Sequence, residues 1–295
     1  MKGQRVAGMR FSMRDALLSA VVALVLAGLP ARAEGPQAIE TGFHLLYETR
    51  FEEARSRFLD WEKKNPKDPL GHAWEAASYL FEEFYQQGVL TSQFFLDDRK
   101  LSGGVDGKSN GASRTAFLTA CTAAETLGKE RLATNPKDAD ALLALTVTAG
   151  MRADYASLID KRPFESLKRI RESESYAKNL LAVKPDAADA YLALGAGNYI
   201  IGSLPAHKRF FLWLGGIQGD REVGMKQLET AATKGNYLRP FAKILLALAA
   251  LREGKSGLAR TQLEELAAEF PQNPLFAREL AMQRNSTLRG AAPSP

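Results

Sequence analysis

The chain has little of what catalytic and metal chemistry use. Its 295 residues contain one cysteine, Cys121, and three histidines, His44, His72 and His207. A single thiol excludes an intrachain disulfide, and amid the Ala-rich stretch 119–124 it reads as a small buried apolar residue. The histidines are isolated, with no His-x3-His or Glu-x-x-His pair, so no zinc or iron site is expected. No Gly-x-Ser-x-Gly elbow occurs. The acidic pairs Glu52-Glu53, Asp97-Asp98 and Glu264-Glu265 are adjacent, which aims their carboxylates in different directions. Between Gly103 and Gly107 lie three residues where a phosphate-binding loop has four, and no strand precedes them. Strand-like alternation is absent throughout. An enzyme, a cofactor and a metal are therefore not expected.

The excess of positive charge disappears once the first 33 residues are set aside. Lys2, Arg5, Arg10 and Arg14 form a basic start, Ala16 to Leu29 is mostly apolar, and Ala31-Arg32-Ala33 offers a cleavage site. The apolar run of 14 residues is short of the roughly 20 a membrane-spanning helix needs. No cysteine follows it for lipid attachment, and Met13 is an alternative start. Residues 1–33 are thus expected to be a signal peptide, cleaved near Ala33, with the mature protein periplasmic or otherwise exported. The full chain carries net +5, but without this segment 34 basic residues face 33 acidic ones. That balance excludes a general nucleic-acid footprint.

What the chain does have is a spacing that occurs twice. Gly42, Ala54, Phe58 and Pro66 are separated by 12, 4 and 8 residues, and Ala247, Ala259, Leu263 and Pro271 repeat the intervals. Two small residues one helix apart let two backbones approach, a bulky residue one turn on fills the space beside them, and proline stops the second helix. Tyr191, Leu194 and Gly195 keep the spacing of a third such start. On these residues the chain resembles the tetratricopeptide repeat proteins, of the exported bacterial type with diverged repeats. The resemblance implies an all-α fold, a right-handed solenoid of helical hairpins with inserted loops. It implies binding of a protein or peptide and no reaction, because the motif residues are packing residues.

Along the mature chain, 34–88 reads as a hairpin (37–48 and 51–64) with a following helix, 69–87. Residues 89–113 read as a Gly/Ser-rich loop whose Phe94-Phe95-Leu96 tucks against the helices. Residues 114–285 hold the diverged modules. A helix over 114–134 precedes two 49-residue modules that start at Pro136 and Pro185. Their first helices are expected at 139–153 and 187–201, their second at 164–182 and 220–234, with an inserted segment in each. An ordinary pair over 238–270 turns at Gly254, a helix caps it over 273–284, and 286–295 reads as a disordered tail.

The positions that would line the concave face, including Leu143, Val147, Met151, Leu192, Ala196, Tyr199, Ile200, Leu248 and Leu251, are apolar. A clamp for acidic peptide tails needs Lys, Asn and Arg at the positions of Leu143, Val147, Leu192 and Ala196 and is not expected. Such a face either fills itself or forms a groove for an apolar helix, a peptide or an acyl chain; a carrier or sensor of a small apolar ligand is the alternative function. Function is otherwise placed on the two inserted segments, where basic and aromatic residues abut: Arg162 with Phe164, and Lys208 and Arg209 with Trp213. Equivalent turns of stacked modules share one side of a solenoid, so these residues are expected to form one surface. For the second segment itself the favoured reading is a helix whose Phe211, Trp213 and Leu214 dock on the array; membrane contact is placed behind both.

Overall fold

Helices form where capping residues introduce apolar runs of helical period. The structure is a computed structural model that describes residues 35–107, 109–214 and 216–290. In order the helices are α1 Gly35–Tyr47, α2 Phe51–Lys64, α3 Pro69–Gln86, α4 Ser92–Leu96, α5 Asp98–Gly103, α6 Gly111–Thr134, α7 Ala139–Leu158, α8 Pro163–Val183, α9 Ala190–Ser203, α10 Ala206–Leu214, α11 Arg221–Lys234, α12 Arg239–Arg252, α13 Ser256–Glu269 and α14 Pro274–Gly290. Among the described residues there is no strand, and the fold is an all-α array of hairpins. The chain divides after Gln37, and all packing below lies within the unit that begins at Ala38. The expected signal peptide, 1–33, lies outside the described residues, as do 291–295 of the expected tail. Residues 286–290, also expected to be disordered, continue α14.

The short Asn-Pro-Lys-Asp turns work through their aspartates. Asp68 accepts from the Leu70 amide at 3.0 Å and Asp138 from the Ala141 amide at 3.0 Å, each capping the helix that follows. Both expected small-residue seams are present. A Cβ on Gly42 would lie 2.5 Å from Cε1 of Phe58, and Ala54 and Phe58 are fully buried. At the other end Ala247, Ala259 and Leu263 are buried. In the middle, a Cβ on Gly195 would meet the Leu228 amide nitrogen at 2.8 Å, so α9 and α11 cross at near backbone contact.

Two expectations about the inserted segments need correction. Residues 89–113 hold two short helices, because Thr91 and Asp97 cap them and outweigh the glycines. Phe94 is buried, Leu96 is exposed, and Arg252 fastens the segment to α12 by donating to the Phe95 carbonyl and Asp98. The first 49-residue module has no inserted segment. Its extra residues lengthen α7 and α8 to 20 and 21 residues, joined by a four-residue turn. The second module does carry an insertion, and it is helical: α10.

Candidate functional site

The inner face is filled by the protein's own rings. Phe43 stacks on Tyr237 at 5.2 Å and meets Trp74 edge-on at 4.8 Å, and Phe81 packs on Phe241 at 5.0 Å. The Tyr47 hydroxyl donates to the Tyr237 carbonyl at 3.2 Å, and the Asn273 side chain donates to the Tyr47 carbonyl at 2.7 Å. The first hairpin is thereby bound to the turn before α12 and to the turn between α13 and α14, and α3 is bound to α12. A space among the described residues of this face, lined by Leu46, Phe81, Leu248, Leu251 and Phe276, is a cavity of about 40 Å³. That admits about three water molecules and no acyl chain. Leu192, Tyr199 and Leu248 are buried as inward positions should be, whereas Ile200 is exposed. Tyr199 is therefore not a surface binding residue: its hydroxyl lies 3.3 Å from the Ala249 carbonyl and 3.2 Å from Glu253.

Outside this core a polar cleft of about 180 Å³ opens between α6, α7 and the start of α8. Its floor is aromatic, with Phe117 stacked on Tyr155 at 4.7 Å. Four arginines line it. Arg114 pairs with Asp160 at 3.0 Å, Arg152 with Glu125 at 2.8 Å, and Arg169 with Glu165 and Glu172, each at 3.0 Å. The fourth, Arg162, is exposed and has no ion pair among the described residues. It precedes α8 directly, and its backbone is fixed by an amide bond of 2.7 Å to the Ala156 carbonyl. Lys161 before it has φ of 55°, a left-handed conformation that turns the chain sharply out of α7. Phe164, two residues on, is 87% exposed. A guanidinium without a partner and an uncovered ring thus sit together beside a cleft of net positive lining.

Lys208, Arg209 and Trp213 lie on α10. No residue of that helix is buried. Phe210, Phe211, Trp213 and Leu214 are 55–69% exposed, so the expected docking of Phe211, Trp213 and Leu214 on the array does not occur.

One cluster had a sequence signal that was missed. His72 is not isolated: it stands three residues before Glu75 on α3, and its Nδ1 lies 2.9 Å from Glu62 and 3.9 Å from Glu75. The paired carboxylates lift the imidazole to about 9, which makes the trio a charged structural tie between α2 and α3. The His-x-x-Glu order, reversed from the one sought, was the available clue. Burial pushes the Cys121 thiol up to about 12 and makes it inert. Asp154, hemmed in by protein, rises to about 7 from desolvation alone, with no charged neighbour contributing.

No family model matches the chain, and no curated protein matches it. Among solved structures, it is similar to a thermophilic tetratricopeptide-repeat protein of Thermus thermophilus, at 16% identity and a TM-score of 0.45. The match covers 84% of this chain and 98% of the Thermus chain.

Proposed function

We propose that this protein is an exported, non-catalytic scaffold of the cell envelope that holds a protein partner at the arginine-lined cleft. The observation that carries the reading is the pairing of unsatisfied groups at the α7–α8 turn, Arg162 and Phe164, beside a stiff helical wall. An exposed aromatic next to arginine is the composition of a contact hot spot. The guanidiniums favour a carboxylate-bearing segment of the partner, and Phe164 favours an apolar side chain next to it. Export rests on the basic, apolar and A-x-A segments; N-terminal sequencing should find Glu34 first, and an intact residue 1 on isolated protein would reject it.

The test is affinity isolation from the native envelope with wild type and the double variant Arg162→Ser, Phe164→Ser. Neither side chain is part of the core, so both proteins should melt together while the variant loses the retained partner. An identical set of retained proteins would overturn the assignment of this site. Co-purification of a stoichiometric lipid with both proteins would instead favour the carrier of a small apolar ligand.

A further inference from the structure

We infer that α10 is a membrane-docking helix, and that the surface it recognises is an anionic bilayer. A helix inserted between the two helices of a module normally turns its apolar face to the array. This one does the reverse. Arg209 reaches back to the Gly202 carbonyl at 3.4 Å, and Leu212 is the side chain of the helix with least exposure. The opposite face carries Phe210, Phe211, Trp213 and Leu214, related by three- and four-residue steps. Their rings pack on one another, Phe210 at 5.9 Å from Phe211 and 6.0 Å from Trp213, and each stays more than half exposed.

The conformation is set locally. Pro205 fixes the entry, and at the exit the Ile217 amide donates 2.9 Å back to the Leu212 carbonyl around Gly216, whose φ is 73°. The helix therefore keeps its shape without a partner.

The charge pattern selects the occupant. From Ala190 to Gly219 there is no acidic residue, and His207, Lys208 and Arg209 are the titratable side chains apart from tyrosine. Lys208 and Arg209 form no ion pair among the described residues, and they flank the side of the helix opposite the rings. A helix lying with Phe210, Phe211 and Leu214 among acyl chains, Trp213 at the headgroup boundary and Lys208 extended to a lipid phosphate, with Arg209 bonded to the Gly202 carbonyl and adding its charge from behind, uses each of these side chains. A protein groove of ordinary polarity would leave Lys208 unmatched.

The experiment uses the tryptophans. The chain has three: Trp74 is buried, Trp61 is half-buried in the first hairpin, and Trp213 is on α10. The full chain is mixed with phosphatidylcholine vesicles, with or without phosphatidylglycerol, and with lipids brominated on the acyl chains. The apolar leader contains no tryptophan, so the quenching reports on the depth of residues outside it. Emission should shift to the blue and be quenched by bromine, with partition about tenfold stronger into anionic vesicles and falling with salt. Phe210→Ser with Phe211→Ser should abolish the quenching at an unchanged melting temperature. Lys208→Glu with Arg209→Glu should remove the anionic preference, and Trp213→Phe should remove the signal but not sedimentation with vesicles. Absence of quenching in the wild type, or quenching that survives the double Phe variant, overturns the inference. So does a blue shift given by a purified envelope protein and not by vesicles, which reassigns α10 to protein contact. The inference is independent of the arginine-lined cleft, because vesicle binding and partner retention are scored on separate variants.

Discussion

Replacing Asp189 by Ala tests whether the array is held by ties between modules as well as by its core. Asp189 stands at the entry of α9, buried, and its side chain makes no hydrogen bond to its own helix. Its carboxylate instead reaches the turn before α12. One oxygen accepts from the Asn236 amide at 2.9 Å and the Leu238 amide at 3.1 Å, the other from the Tyr237 amide at 3.2 Å. Leu238 is the residue that precedes α12 and offers that helix no side-chain cap. The same turn carries the Tyr237 ring and carbonyl that receive Phe43, Trp74 and Tyr47 of the N-terminal region. One carboxylate therefore holds the strut on which the closure rests.

The three amides differ in what they lose. Leu238 is buried, so its amide would be left without a partner, at about 1–3 kcal/mol. Asn236 is exposed and would turn to water at little cost, with Tyr237 between the two. Against these losses stands the burial that holds the Asp189 carboxyl above its usual range despite three amide donors. The net cost of Asp189→Ala is then about 2–4 kcal/mol. Asp189→Asn keeps one acceptor oxygen but sets an amide donor against the Tyr237 amide, at about 1–2 kcal/mol. Urea unfolding at neutral pH, followed by circular dichroism, should rank wild type above Asn above Ala. An Ala variant within about 0.5 kcal/mol of wild type, or an Asn variant below Ala, would refute the clamp.

Three further outcomes follow from single sites. Gly42→Ala pushes a Cβ to 2.5 Å from the fully buried Phe58 ring, and Ala54→Leu overfills the same seam; each should cost about 1–3 kcal/mol in thermal melts. Thr49 holds a φ of 64° where α1 ends, which a β-branched residue adopts only under strain, so Thr49→Gly should raise stability by about 1 kcal/mol. His72 is raised to about 9 by Glu62 and Glu75, so its contribution is fully present below its ordinary value of 6.5 and is lost as pH rises through 9. The melting temperature of wild type should exceed that of His72→Gln at about pH 6 and converge with it at about pH 10; a constant gap would mean that His72 acts through packing alone.

The ends of the array were legible because their chemistry is one-to-one: a small residue allows a close crossing, and only the neighbouring bulky residue can fill it. In the middle the same contact is made with the roles exchanged. Gly128 stands eight residues before Pro136, the place that Phe58 and Leu263 hold before Pro66 and Pro271, and the space is filled from α7 by Leu145, whose Cγ would lie 2.9 Å from a Cβ on Gly128. Thr146 stands ten residues after Pro136, as Gly195 does after Pro185, and is buried with its hydroxyl donating to the Leu142 carbonyl at 2.7 Å. A single-sequence pattern fixes residue types at positions, and a compensated swap across an interface preserves the packing while erasing the pattern. The lengths of α7 and α8 were missed for a related reason. The turn at 159–162 has neither Gly nor Asn to mark it, and Lys161 adopts the left-handed conformation instead.

The candidate sites were legible in composition and misread in direction. An apolar stripe at helical spacing states that one face of α10 avoids water, but it does not state what covers that face. The usual answer is the protein's own core, and that answer placed Phe211, Trp213 and Leu214 on the array. What decides otherwise is three-dimensional. The array's core is already complete between α9 and α11, where Gly195 and Gly224 bring the backbones together and a Cβ on Gly224 would lie 2.5 Å from the Tyr199 nitrogen. Helices that cross this closely leave no groove on that side for an added ring. The insertion is thus excluded from the interior by the same small residues that make the hairpin, and its aromatic face must find its cover elsewhere.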